Sequence, residues 1–145
     1  MSDLIVRNWQ RKLAVPQLRL REFAQRLRER LHLQDVGFAM ALVGDRRIRR
    51  LNRQFRQVDT ATDVLSFPIG SQPAEHEQAG VYLGDVVISV ETAKRHALAQ
   101  QHPLETELRI LMIHGLLHLL GYDHERDQGQ MRRKELALRR ELLQS

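Results

Sequence analysis

The 145-residue chain contains no cysteine. Disulfides and thiolate metal sites are therefore excluded, and any zinc has to be held by histidine, carboxylate or water. The absence fits a reducing cytoplasm. No stretch approaches the roughly 20 apolar residues of a membrane span. The segment Met1 to Arg7 lacks the long apolar core of a secretory signal. Together these absences point to a soluble cytoplasmic protein with no membrane association. Glycine and proline are few, and there is no linker, internal repeat or low-complexity tract. The expectation is a single domain over residues 1–145. Aromatic residues make up only 5% of the chain, so base stacking would be a minor part of any RNA binding.

A hydrophobic content of 42% is enough for a core without covalent staples. The net charge of +5 is unevenly placed. Residues 1–56 carry 14 Lys/Arg against 5 Asp/Glu, whereas residues 57–145 carry 9 against 13. Of the 23 cations 20 are arginine, whose planar fork of donors matches phosphate oxygens. A basic half of this kind suits a polyanion such as RNA or DNA, or else forms a solvated surface.

Residues 3–9, with Leu4-Ile5-Val6, suit a strand. From Pro16 to about Leu33 apolar residues recur at helical spacing (Leu20, Phe23, Ala24, Leu27, Leu31). Arg19, Arg26 and Arg30 fall mostly off that stripe. Residues 36–43 form an apolar run of strand length. A second helix starts at Gly44-Asp45, with Ile48, Leu51 and Phe55 as its expected buried stripe and arginines elsewhere. Asp63 to Pro68 reads as a short strand stopped by proline. Residues 69–80 read as a polar, mobile loop, and His76 between two glutamates as part of it. Val81 to Val90 reads as a buried strand, residues 91–100 as a helix. Pro103 opens a helix to about Leu120 that is apolar on most sides after Arg109, so it belongs in the core. Asp127 can cap a last helix. The pattern predicts an α+β fold, a mixed sheet of about four strands packed with about five helices.

The chemistry concentrates at His114-Gly-Leu-Leu-His118-Leu-Leu-Gly121-Tyr-Asp-His124. Histidines four apart share one helix face. Gly121 can take the left-handed conformation that ends a helix and returns the chain, with His124, to the first two. Three imidazoles leave a fourth position open, as in catalytic zinc sites, where zinc lowers the pKa of bound water to about 7. The lean is to zinc, although nickel, cobalt or copper also suit imidazoles. The spacing is that of the metzincin pattern with one departure. Gly115 stands where a metalloprotease has its glutamate base. Asp123 reads as a turn residue or a partner that orients a ligand, Glu125 as a solvated charge, and Ser66 as strand packing. Asp85 either orients a ligand or ends a strand. His32, His96 and His102 are given no role.

Three segments in order resemble the YbeY endoribonuclease family: the histidine run, Asp63-Val-Leu-Ser-Phe-Pro68, and Gly84-Asp85-Val-Val-Ile-Ser89. The resemblance spans roughly residues 36–140. It implies a zincin-like central helix carrying one zinc on His114, His118 and His124. It implies a single-strand-specific endoribonuclease that matures ribosomal RNA, including the 3′ end of 16S rRNA, and acts in ribosome quality control. Partners would be single-stranded rRNA and a ribosomal subunit or assembly factor. The family's functional arginine falls on Arg56. The following Gln57-Val-Asp-Thr-Ala-Thr62 departs from the lysine- and proline-containing version of some members.

Two other readings stand beside this one. The metzincin spacing suits a metal-dependent hydrolase of a peptide or small molecule, against which Gly115 argues. The basic face suits a non-catalytic ribosome-binding module with structural zinc, against which the open metal position argues. In the nuclease reading the arginines of residues 46–56, together with those of 19–30, hold the RNA backbone.

Overall fold

The computed structural model describes residues 3–69 and 81–143. The rest of the expected polar loop, with His76, lies outside the described residues. In chain order the elements are β1 (Leu4–Asn8), α1 (Gln17–Arg30), β2 (Val36–Val43), α2 (Asp45–Arg56), β3 (Val64–Pro68), β4 (Val81–Ser89), α3 (Val90–Gln100), α4 (Leu104–Leu119) and α5 (Gln130–Leu142). The expected α+β fold with a mixed four-stranded sheet is what forms. The strand order is β1-β2-β4-β3, with β1, β2 and β4 parallel and β3 antiparallel to β4. Strand β3 is therefore an edge.

Alternation along the strands divides the apolar side chains between two faces. Phe38, Met40 and Leu42 of β2 and Val86 and Ile88 of β4 join the larger core with α1, α4 and α5. Val43, Leu65 and Val87 point the other way and pack with Ile48 of α2. Helix α4 lies in the larger core, with Leu108, Leu111, Met112, Ile113, Leu116, Leu117 and Leu119 all buried. That matches its lack of a polar face.

One sequence expectation is corrected. Phe55 is 56% exposed, and the buried stripe of α2 is Ile48 and Asn52. The last turn of α2 passes the sheet edge, where Phe55 meets Phe67 edge-on at 5.4 Å. Asn52 turns inward and donates to the Thr60 carbonyl at 3.0 Å. Of the α1 arginines expected to help hold RNA, three bridge to other helices. Arg19 pairs with Glu105 at 2.9 Å, Arg30 pairs with Glu141, and Arg26 donates to the Leu142 carbonyl.

Helix α4 approaches the sheet closely at Gly115. A Cβ there would lie 2.4 Å from Val86 Cγ1 and 3.3 Å from Val64 Cγ2. Ser66 Oγ donates to the Gly115 carbonyl at 2.9 Å, tying α4 to β3. Gly115→Ala should therefore destabilise the fold by about 1–3 kcal/mol through overpacking, read by urea unfolding. Because the clash is with Val86, the double variant with Val86→Ala should lose less than the two single losses combined. Strict additivity would show that the clash is not the cause.

Candidate metal centre

His114 and His118 sit one turn apart on α4, at its C-terminal end. Gly121 follows with φ +97°. The Tyr122 N–H donates to the Leu117 carbonyl and the Gly121 N–H to that of His118, the paired bonds of a Schellman ending. The chain then turns back with His124. Asp123 braces this loop by accepting the Glu125 N–H at 3.0 Å, and Asp127 accepts the Gly129 and Met131 N–H groups at the start of α5. The capping expected of Asp127 is present, although Gly129 is the residue at the helix boundary.

One ring nitrogen from each of His114, His118 and His124 lies within 4.8 Å of the other two. The Nε2 atoms of His114 and His118 are 3.1 Å apart, close to the ~3.3 Å edge of a tetrahedron with zinc–nitrogen bonds of about 2.05 Å. Burial lowers the pKa of His118, and the neighbouring His114 and His124 lower it further against a backbone hydrogen bond with Tyr122. Both effects favour the neutral imidazole, the form that ligates a metal. His124 is exposed and His114 and His118 are half-buried, so the site is open on one side. The donor set and spacing fit a divalent metal ion.

Glu135 was not singled out by sequence reasoning. Its Oε1 accepts from His114 Nδ1 at 2.6 Å, while its Oε2 accepts from Arg139 at 3.0 Å. This leaves His114 Nε2 as the lone-pair nitrogen facing the site. Burial raises the Glu135 carboxyl, but the hydrogen bond from His114, together with Arg139, outweighs it and holds the pKa below the usual range. A signal was there to be read. Met131, Glu135, Leu138 and Leu142 form the buried stripe of α5, and Glu135 is its charged member.

Arg56, the last residue of α2, donates to the Ser66 carbonyl of edge strand β3 at 3.0 Å. It shares a cavity of about 210 Å³ with Val64, Ser66, Pro68, His114 and His118. A second hollow, open toward His124, also has Arg56 and His118 in its wall. The loop after Arg56 is held without lysine or proline, by the Arg49–Asp59 ion pair at 2.9 Å and the Asn52–Thr60 bond. Asp85 accepts from the Tyr82 hydroxyl at 2.5 Å and does not line the cavity. His102, given no role from the sequence, meets Glu107 at 2.7 Å, and His96 lies 3.5 Å from Asp63.

The model of the family described as Endoribonuclease YbeY matches residues 5–143. The chain is 50% identical over 103 residues to the Endoribonuclease YbeY of Nautilia profundicola, covering 71% of this chain and 70% of that protein. It is 50% identical to the Endoribonuclease YbeY of Anaeromyxobacter sp., over 83% of this chain and 65% of that one. For the Helicobacter pylori protein of the same name the identity is 50%, over 68% of this chain and 66% of that one. The alignments thus span about two thirds of these relatives' length. Among solved structures, that of TM1509 from Thermotoga maritima superposes with a TM-score of 0.65 at 29% identity, over 95% of this chain and 88% of that one. The chain belongs to the YbeY endoribonuclease family.

Loss of the Glu135 charge should loosen the hold on His114. Glu135→Gln should weaken binding of titrated zinc or cobalt at least about 10-fold, the scale of a lost ligand-orienting partner, with the unfolding midpoint little changed. Calorimetric titration of the apoprotein reads this. Unaltered affinity would show that the carboxylate does not orient the imidazole.

Proposed function

We propose that the chain is a zinc-dependent endoribonuclease, a single domain over residues 1–145, that cuts single-stranded RNA. His114, His118 and His124 hold one zinc ion, and Arg56 is the phosphate-facing catalytic residue. The observation that carries this reading is that His114, His118 and Arg56 line one cavity, and that Arg56 and His118 also line the adjoining hollow with His124. The zinc, when bound, supplies Lewis acidity and makes water a competent nucleophile near neutral pH.

The remaining work belongs to the chain. The phosphodiester enters the hollow between α2 and the Gly121–Arg126 turn. Phosphoryl attack builds negative charge on the non-bridging oxygens, and a fixed guanidinium beside them stabilises it. Arg56 is held for this by its bond to the Ser66 carbonyl, which occupies one donor and leaves others directed at substrate. Burial favours the neutral His118 imidazole, and His114 keeps its Nε2 lone pair because Nδ1 faces Glu135. The exposed guanidinium groups of Arg46, Arg50 and Arg53 hold flanking phosphates.

The family resemblance extends the proposal to ribosomal RNA, including maturation of the 16S 3′ end and ribosome quality control in the cytoplasm. A ribosomal subunit or assembly factor would present the substrate. Among the described residues no helix is long and apolar enough to cross a membrane. The peptide-hydrolase reading is disfavoured by Gly115, where a glutamate's Cβ would collide with Val86.

End-labelled single-stranded rRNA incubated with the wild type and with His114→Ala tests the reading. Cleavage by the wild type alone is expected. Equal cleavage by both proteins would sink the metal-centred mechanism. Arg56→Ala should retain zinc and lose about 100-fold or more in cleavage rate, the scale of losing a charge-stabilising donor. A wild-type rate in that variant would remove Arg56 from the catalytic machinery. RNA affinity should fall linearly with salt on logarithmic axes, by about 0.7 per phosphate contacted. A flat salt response would contradict the arginine face.

A further inference from the structure

We infer that Trp9 forms a base-stacking subsite for single-stranded RNA, at the far end of α2 from the metal centre. The inference rests on the ribonuclease reading and adds a second point of substrate contact to it.

Trp9 is the only tryptophan of the chain, and 58% of it is exposed. An indole left this open on a braced backbone has a large apolar face available to a ligand. The brace is explicit. The Trp9 N–H donates to the Leu42 carbonyl at 2.8 Å, extending the β1–β2 ladder. Gln10 then bridges Asn8 Oδ1 and the Leu13 carbonyl through Nε2, and accepts the Leu13 N–H. The ring is thus presented by a hydrogen-bonded turn.

The surroundings favour a nucleotide. The Arg47 guanidinium carbon lies 5.3 Å from the Trp9 ring centroid. Trp9, Arg11 and Arg47 line an open cleft of about 560 Å³ with the polar side chains Asn8 and Gln10. An aromatic face with guanidinium groups beside it meets both parts of an unpaired nucleotide, stacking for the base and charge for the phosphate. Apart from Trp9 the cleft is polar and cationic, so it lacks the apolar face by which a helix or loop inserts into lipid.

Position connects this cleft to the metal centre. The Trp9 N–H bonds to Leu42 near the end of β2, and α2 begins at Asp45, two residues after β2 ends. The helix then runs 12 residues to Arg56, about 18 Å at 1.5 Å per residue. Arg46, Arg50 and Arg53 are exposed along the way. A strand of a few nucleotides, with its scissile phosphate at Arg56, reaches Trp9 along this basic face. Scarce aromatics do not prevent stacking here, because the one tryptophan stands at the surface.

As the sole tryptophan, Trp9 reports on itself. Oligoadenylates of increasing length are titrated into the zinc-loaded protein while its emission is followed, and affinities are measured in parallel by anisotropy of end-labelled RNA. Quenching that saturates with binding is expected. Trp9→Ala should weaken binding about 5- to 150-fold, the range for one lost base–aromatic stack. Trp9→Phe should stay near wild type, and both variants should keep their zinc content and unfolding midpoint. RNA binding with unchanged emission, and wild-type affinity in Trp9→Ala, would overturn the subsite and leave the nuclease reading standing. Equal quenching by duplex RNA would overturn stacking, since paired bases present no free face. Emission that shifts with phosphatidylglycerol vesicles but not with RNA would assign the ring to lipid and overturn the inference. Failure of the wild type to bind single-stranded RNA at low salt would overturn both readings.

Discussion

The contact between Gly115 and the β3–β4 pair is the constraint on which the arrangement of the site depends. A hydrogen in place of a side chain lets the α4 backbone settle against Val86 and Val64, and the Ser66 hydroxyl fixes it there through the Gly115 carbonyl. His114 precedes the contact and His118 follows it by three residues, so it sets where both imidazoles stand over the sheet edge. Ser66 also presents its own carbonyl to Arg56. One serine on an edge strand thus holds the histidine helix on one side and the arginine on the other. An interior strand would have had that carbonyl occupied by a neighbouring strand.

The same contact explains the departure from the metalloprotease pattern. Position 115 faces the valines of the sheet, where an ionised carboxylate would be stripped of water without a partner. The missing glutamate is a requirement of packing as well as a change in chemistry. What the site retains is a set of imidazole nitrogen donors, an anchored guanidinium and two hollows that meet at Arg56 and His118.

The uneven charge along the chain acquires two meanings in the folded molecule. On α1, Arg19 and Arg30 meet Glu105 of α4 and Glu141 of α5, so part of the basic half answers the acidic half. Solvent screens these exposed pairs, so they orient helices more than they stabilise them. On α2, Arg46, Arg50 and Arg53 stay outward, while Arg47 lies over Trp9, Arg49 pairs with Asp59 and Arg56 is held by Ser66. Charge left outward on a helix ending at the metal centre is available to a polyanion.

By itself the sequence determined what local rules govern. The element types and their order follow from apolar periodicity, a property of neighbouring residues. The burial of α4 follows from its lack of a polar side. The convergence of His114, His118 and His124 follows from a four-residue offset and a glycine suited to positive φ, both independent of the rest of the fold. Tertiary structure decided whatever depends on which element lies beside which. Alternation along a strand says which residues face inward, but not that β4 would sit between β2 and β3. The exposure of Phe55 and the inward turn of Asn52 follow from where α2 passes the sheet edge. Glu135 reaches His114 across 21 residues and between two helices, and Arg56 reaches Ser66 across a loop. Short-range hydrogen bonding and periodicity are written along the chain, whereas the meeting of distant groups depends on how the whole core packs.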